Sequence, residues 1–165
     1  MPKTPDELFT FLASIGISTT TIRHPALYTV AESQQLRGDI PGAHTKNLFL
    51  KDKKDNFFLL TVGEDDNVDL KTIDKTIGAS SRVSFGKPEA LLDLLGVTPG
   101  AVTSFGLIND PAGRVKFVLD ARLAKADIIN AHPLTNEATT SIATADLLKF
   151  VEATGHTPLV LNLAP

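Results

Sequence analysis

The stretch PGAHTKNLFLKDKKDN, residues 41–56, sets Lys46 and Asn47 directly before the apolar run Leu48-Phe49-Leu50. A basic loop with Lys51, Lys53 and Lys54 follows it. A lysine head is strongly hydrated, so the entrance to a core suits it poorly unless it meets an anionic or polar group there. From position alone, a solvated lysine at a strand start is an equally good reading. The basic loop by itself reads first as a soluble hairpin tip. His132 precedes Pro133, which biases its backbone toward the extended region, and it sits amid Asn130, Thr135 and Asn136. A histidine so placed serves either as a structural residue or as an acid–base group. Gly100 and the segment FGLIND (105–110) have the residue types of turns. Asp65-Asp66 reads as a strand end in solvent.

Several chemistries are missing. His24, His44, His132 and His156 are far apart, with no HExxH-type pair to support a metal site. The chain has no cysteine, which removes disulfides, thiolate catalysis and cysteine metal sites. There is no G-x-S-x-G nucleophile elbow. Gly86-Lys87 is followed by Pro88 where a phosphate loop needs Ser or Thr.

The elements that must position these residues are legible in outline. Thr4-Pro5-Asp6-Glu7 has the form of a capped helix start. Leu8, Leu12 and Ile15 then share one face, and Gly16 can end the helix. A β-rich run spans Ser18 to Ile22. Thr29 is a plausible cap for a helix around Val30 to Arg37, which Gly38 can close. Asn47 to Asp52 and Asn56 to Val62 predict two strands joined by a polar turn. Neither alternates cleanly, so both should be buried on two faces at the centre of a sheet. Leu70, Ile73 and Ile77 mark a short helix, Arg82 to Phe85 a strand, and Pro88 to Leu95 a helix that Gly96 ends.

Thr98-Pro99-Gly100 has proline and glycine where a type II turn wants them. Thr103 to Ile108 and Arg114 to Leu119 predict a hairpin about the turn Asp110-Pro111-Ala112-Gly113. Ile128 to His132 and Ala138 to Ile142 predict further strands. Thr144 is expected to cap a helix through Val151 that Gly155 closes, and Pro158 to Leu163 to form a last strand. Interleaved strands and helices, with no repeat and no linker, predict a single α+β domain over residues 1–165: a mixed sheet with helices packed on it.

Composition sets the outer limits. At 165 residues, 42% hydrophobic and 21% charged, the chain can bury a substantial core. A net charge of −3 argues against general coating of nucleic acid but leaves room for a local basic patch. The acidic N-terminus lacks the pattern of a signal peptide, and no stretch is long enough to span a bilayer. With the absence of cysteine, this fits a cytoplasmic protein with no membrane partner.

Four segments in order, HPALYTVAES (24–33), GAHTKNLFLKDKK (42–54), FGLIND (105–110) and HPLTNEATT (132–140), resemble the YbaK/ProX family of aminoacyl-tRNA editing domains. The resemblance runs from about Leu8 to Leu163 and is nearest the free-standing alanyl-tRNA(Pro) deacylase branch (PrdX/ProXp-ala). It implies the YbaK-like fold and hydrolysis of the ester that joins a wrong amino acid to a tRNA 3′ end, without cofactor, metal or covalent intermediate. It implies that Lys46 is the editing-site lysine, Asn47 its neighbour, and His132 a histidine of the pocket wall. Gly100 and Ala101 would open the family's Gly-x-x-x-Pro loop, which holds the aminoacyl-adenosine end. Position 104 departs from that pattern: Ser104 stands where the family has proline, which frees a φ angle and adds a hydroxyl. Lys51, Lys53, Lys54 and Arg82 would form a track for the acceptor stem. The implied partners are mischarged tRNA, through its acceptor stem and 3′ end, and, transiently, prolyl-tRNA synthetase. The competing reading is a non-catalytic nucleic-acid-binding or regulatory protein that keeps the editing-domain fold.

Overall fold

Local punctuation places the helices. In the computed structural model, which describes residues 1–26, 31 and 40–164, α1 (Pro5–Ser14) opens with a complete capping box. The Thr4 hydroxyl accepts from the Glu7 N–H while the Glu7 carboxylate accepts from the Thr4 N–H. Proline at the first helical position and Gly16 beyond the last complete it. Strand β1 (Thr20–Arg23) follows. The helix expected around residues 30–37 lies outside the described residues.

The central pair is β2 (Ala43–Lys51) and β3 (Phe57–Gly63), antiparallel from Thr45↔Gly63 to Lys51↔Phe57. β2 begins four residues earlier than its apolar run suggests, because Ala43 and His44 pair with another strand. Lys46 therefore stands inside the strand rather than at its mouth. Next come α2 (Ile73–Ile77), β4 (Ser84–Phe85) and α3 (Pro88–Leu95), which ends in Gly96 in the left-handed conformation. The segment after α3 corrects two expectations. Thr98-Pro99-Gly100 is not a type II turn but leads into a 3-10 turn, Pro99–Ala101. Thr103–Ile108 is not a hairpin strand: Ser104–Asn109 is a second 3-10 helix, whose N-cap Thr103 accepts from the Phe105 N–H. Small and apolar residues in succession suit a buried 3-10 segment as well as a strand, and packing under α3 decides between them.

The chain continues through β5 (Val115–Asp120), α4 (Ala121–Ala124), β6 (Ile128–Ala131), β7 (Ala138–Ala143), α5 (Thr144–Ala153) and β8 (Leu159–Leu161). Thr144 is the first helical residue of α5 and not its cap. Its hydroxyl donates to the Ala126 carbonyl, so it ties the helix to the preceding loop. The strands form one mixed eight-stranded sheet in the order β1-β7-β6-β2-β3-β5-β8, with β4 also on β2. β2/β6, β3/β5 and β5/β8 are parallel, the other pairs antiparallel.

Both sheet faces are covered. On one, Leu8, Leu12, Phe49, Leu59, Phe105, Phe117, Leu147 and Phe150 pack beneath α1, α3 and α5. On the other, Leu50, Phe58, Leu60, Val62, Ile73, Ile77 and Val118 pack under α2. β3 is accordingly buried along Phe57–Val62, as its unbroken apolar sequence demands. Among the described residues no helix is long and apolar enough to cross a membrane.

Candidate functional site

One edge of β2 is shared by two strands that do not meet. β6 pairs with it at Ala43 and His44, and β4 at Leu50 and Lys51. Between them, Thr45–Phe49 have no strand partner on that edge among the described residues. A small polar cleft of about 30 Å³ lies at the β6 end of this gap. It is lined by His44, Thr45 and Asn47 of β2, Glu64 beyond β3, Asn130, Ala131 and His132 of β6 and its end, and Thr139 of β7. The close approach that forms it depends on Gly42, whose φ is 104°. A Cβ there would lie 2.9 Å from the Asn130 amide nitrogen and 2.8 Å from Ile128.

The protein's own groups take up most of the hydrogen-bond donors of the lining. Thr45 Oγ1 donates to the Asn130 carbonyl at 2.7 Å. The Asn130 amide donates to the carbonyls of Pro41 (3.0 Å) and Ala43 (3.3 Å), and its oxygen accepts from Ser141. Asn47 accepts from the buried Thr61 hydroxyl and donates to the Val102 carbonyl at 3.3 Å. That bond moors the 99–104 loop against β2. His44 Nε2 lies 3.0 Å from the Ile40 carbonyl, an acceptor only, so this nitrogen carries a proton and donates it.

The same logic applies to His132, whose Nδ1 donates to the Ala138 carbonyl at 3.2 Å and leaves Nε2 as a lone pair in the neutral ring. Burial is the main force that depresses the His132 pKa below the ordinary histidine value. The Ala138 bond opposes the shift, and the charge of nearby His24 adds to it. Leu134, two residues on, is held in the left-handed region at φ 66°, with its N–H bonded to the His132 carbonyl. A branched side chain there stores strain next to the site.

The structure thus brings Asn47 and His132 into one cleft, with the 99–104 loop against its Asn47 side. Gly100 and buried Ala101 belong to the first 3-10 turn. Ser104 is fully buried at the first position of the second 3-10 helix, where a proline would also fit, and its hydroxyl has no partner among the described residues. Lys46 does not line the cleft. It pairs with Val62, and strand alternation puts it on the face of His44 and opposite to Asn47, one position further along β2 than the lining reaches on that face.

The basic residues gather at the other end of β2, roughly 20 Å away at about 3.3 Å per residue. Buried Asp52 organises them. It accepts from the backbone of Lys54, from both the backbone and side chain of Asn56, and from both of Ser80. Burial alone would raise the Asp52 pKa, but these bonds outweigh it and hold the carboxyl well below its usual range. Ser81 accepts from the Lys53 N–H at 2.9 Å, so the loop carrying Arg82 lies beside the turn carrying Lys53 and Lys54, and all three are exposed. Lys51 differs: it is partly buried and paired with Asp55 at 2.9 Å. Asp66 also departs from its solvated reading, since it pairs with Arg122 at 3.4 Å.

Sequence reasoning missed His44, Thr45, Glu64, Asn130 and Thr139 as cleft residues. His44, Thr45 and Thr139 sit inside segments already singled out and Asn130 beside His132, but nothing local gave them a role, and Glu64 carries no signal at all; they become neighbours only through the sheet. A larger, open groove lies between α1 and the end of α5, where Lys3, Asp6, Glu7, Thr10, Ser14 and Thr154 surround the apolar side chains of Phe11, Ile108 and Pro111.

Comparison with known proteins gives concordant results. A family model described as "Aminoacyl-tRNA editing domain" matches residues 24–150. The mouse "Prolyl-tRNA synthetase associated domain-containing protein 1" is 39% identical, covering 94% of each chain. The "Prolyl-tRNA editing protein ProX" of Acetoanaerobium sticklandii is 35% identical over 92% of this chain and 93% of its own. A solved structure described as a candidate trans-editing enzyme for prolyl tRNA synthetase shares the fold. Its TM-score is 0.72 at 22% identity, over 98% of this chain and 99% of its own.

Proposed function

Since this chain belongs to the aminoacyl-tRNA editing domain family, we propose that it hydrolyses the ester of mischarged tRNA, with Ala-tRNA(Pro) as its substrate. The observation that carries this reading is the small acceptor-lined cleft. Thr45, His132 and, with His24 neutral, Thr139 have their protons engaged with protein acceptors and present lone pairs, and Glu64 adds a carboxylate. Such a lining suits the α-ammonium group of an aminoacyl ester and the protons of an attacking water.

The ester is already activated, so it needs a positioned water and stabilised charge rather than a strong nucleophile. The water oxygen bonds to the carbonyl carbon, the bond to the ribose oxygen breaks, and a proton passes to that oxygen. Free alanine and an uncharged 3′ end leave. Asn47 and His132 border the reacting group, and the Gly100–Ser104 loop frames the terminal adenosine. A pocket that admits a methyl and excludes a pyrrolidine ring removes alanine while sparing proline. Lys46, outside the cleft, meets the terminal phosphate or ribose. Lys53, Lys54 and Arg82, roughly 20 Å along β2, lie within reach of the acceptor stem when the single-stranded end enters the cleft.

The test is ester loss from tRNA(Pro) charged with labelled alanine, serine or proline. Fast release of alanine and retention of proline is the expected result. Tight binding of the charged tRNA with every ester left intact would establish the non-catalytic reading instead.

A further inference from the structure

His24, which contributes no atom to the cleft lining, touches it through Thr139. Its backbone N–H donates to the Glu137 carbonyl at 3.0 Å, which fixes the residue just beyond the β1–β7 ladder. Its Nδ1 lies 2.9 Å from the Pro25 carbonyl, and because a carbonyl only accepts, Nδ1 carries a proton. Its Nε2 lies 2.8 Å from Thr139 Oγ1. With Nδ1 protonated in either state, the charge on the ring dictates the direction of the last bond. With His24 neutral, the Thr139 hydroxyl donates to Nε2 and keeps its lone pairs for the cleft. With His24 protonated, Nε2–H donates to the hydroxyl oxygen, and the hydroxyl proton must find another acceptor.

We propose that His24 is a positioning residue that sets the hydrogen-bonding polarity of the cleft wall: acceptor when neutral, donor when charged. The inference rests on the editing reading for its catalytic consequence, but the coupling is a property of the fold. Thr139 sits one residue beyond Ala138, whose carbonyl orients His132, so one short stretch of β7 serves both rings. The depression of the His132 pKa by the charge of His24 is consistent with this proximity. Among the described residues, the other ionisable groups around the pair are His44 and Glu64 in the cleft lining, and exposed Arg23 and Glu137 flanking His24.

Two variants separate positioning from bulk structure. His24→Gln supplies a side-chain oxygen that accepts from Thr139 and never charges, whereas His24→Ala supplies no acceptor. The first readout needs no substrate: the His132 ring is titrated by NMR in wild type and His24→Gln. Its midpoint should move upward in the variant, because a positive neighbour has been removed. An unchanged midpoint overturns the coupling.

The second readout is deacylation. His24→Ala should lower kcat about tenfold, the effect of one lost hydrogen bond, with KM for charged tRNA unchanged. His24→Gln should restore most of the rate. Equal kcat in wild type and both variants overturns the positioning role. Equal losses in both variants with a lowered Tm also overturn it, in favour of simple structural support. If wild type itself releases no amino acid, the editing reading fails, and the NMR titration still decides whether His24 and His132 are coupled.

Discussion

Lys46 and Ser104 show how much a single position depends on its neighbours. Lys46 looks like a residue at the mouth of a strand, but it lies within β2 on the face opposite to Asn47. A role outside the cleft makes a specific expectation: Lys46→Ala should lower kcat/KM for charged tRNA mainly by raising KM. Tm should stay within roughly 2 °C, because the lysine head is not core packing. A loss confined to kcat would place the lysine at the reacting ester instead. Ser104 gives the opposite kind of prediction. Its hydroxyl is buried without a partner, which costs free energy that alanine would not incur. Ser104→Ala should therefore stabilise the fold by about 1 kcal/mol, a Tm rise of roughly 2–4 °C. A fall in Tm would mean that the hydroxyl has a bonded partner in solution.

At the scale of elements, the β2–β3 turn acts as a rigid mount for charge. Asp52 draws the 52–56 turn and the Ser80–Ser81 segment together, and so assembles Lys53, Lys54 and Arg82 from distant parts of the chain. Replacing these three by alanine should weaken tRNA binding and flatten the plot of log affinity against log salt by about 3, with little effect on an aminoacyl-adenosine substrate. Equal losses on both substrates would remove the track from the reading. Asp52 itself carries a pH signature. Its folded-state pKa is depressed, so its stabilisation is complete above the ordinary value of 3.8 and is lost as pH falls through the folded value. Asp52→Asn should thus be less stable than wild type at pH 7, and the gap in urea midpoint should narrow below about pH 4. A gap independent of pH would assign the turn's stability to other contacts.

On the scale of the molecule, α5 is closed onto the sheet by a buried pair. His156 Nε2 lies 2.9 Å from Asp110 Oδ2, with side chains 3% and 2% exposed. Asp110 also accepts from the backbone of Arg114 and Val115, and Thr154 bonds the other ring nitrogen. The pair locks the end of α5 to the turn that starts β5. His156→Ala leaves Asp110 without its side-chain partner in the interior, which should cost about 3 kcal/mol and lower Tm by roughly 6–12 °C. An unchanged Tm would show that the two backbone donors suffice.

Helix ends were legible in the sequence because capping acts within one turn. Thr4 with Glu7 at the start of α1, and Pro88 and Gly96 around α3, specify those boundaries without help from the rest of the chain. The apolar run of β3 likewise declared a strand buried on both faces, whereas β2, expected to match it, is buried only at Phe49 and Leu50; four ordered segments declared the family. What only the tertiary structure decided is non-local. The 3-10 form of Ser104–Asn109, the gap along β2, and the union of Arg82 with Lys53 all depend on contacts between residues remote in sequence. The cleft is the clearest case: Thr139 meets His24 across 115 positions and Thr45 meets Asn130 across 85. Thr139 lies in the HPLTNEATT segment and Asn130 close to His132, yet no local pattern gives either a role, because their chemistry comes from which protons the folded sheet has already engaged.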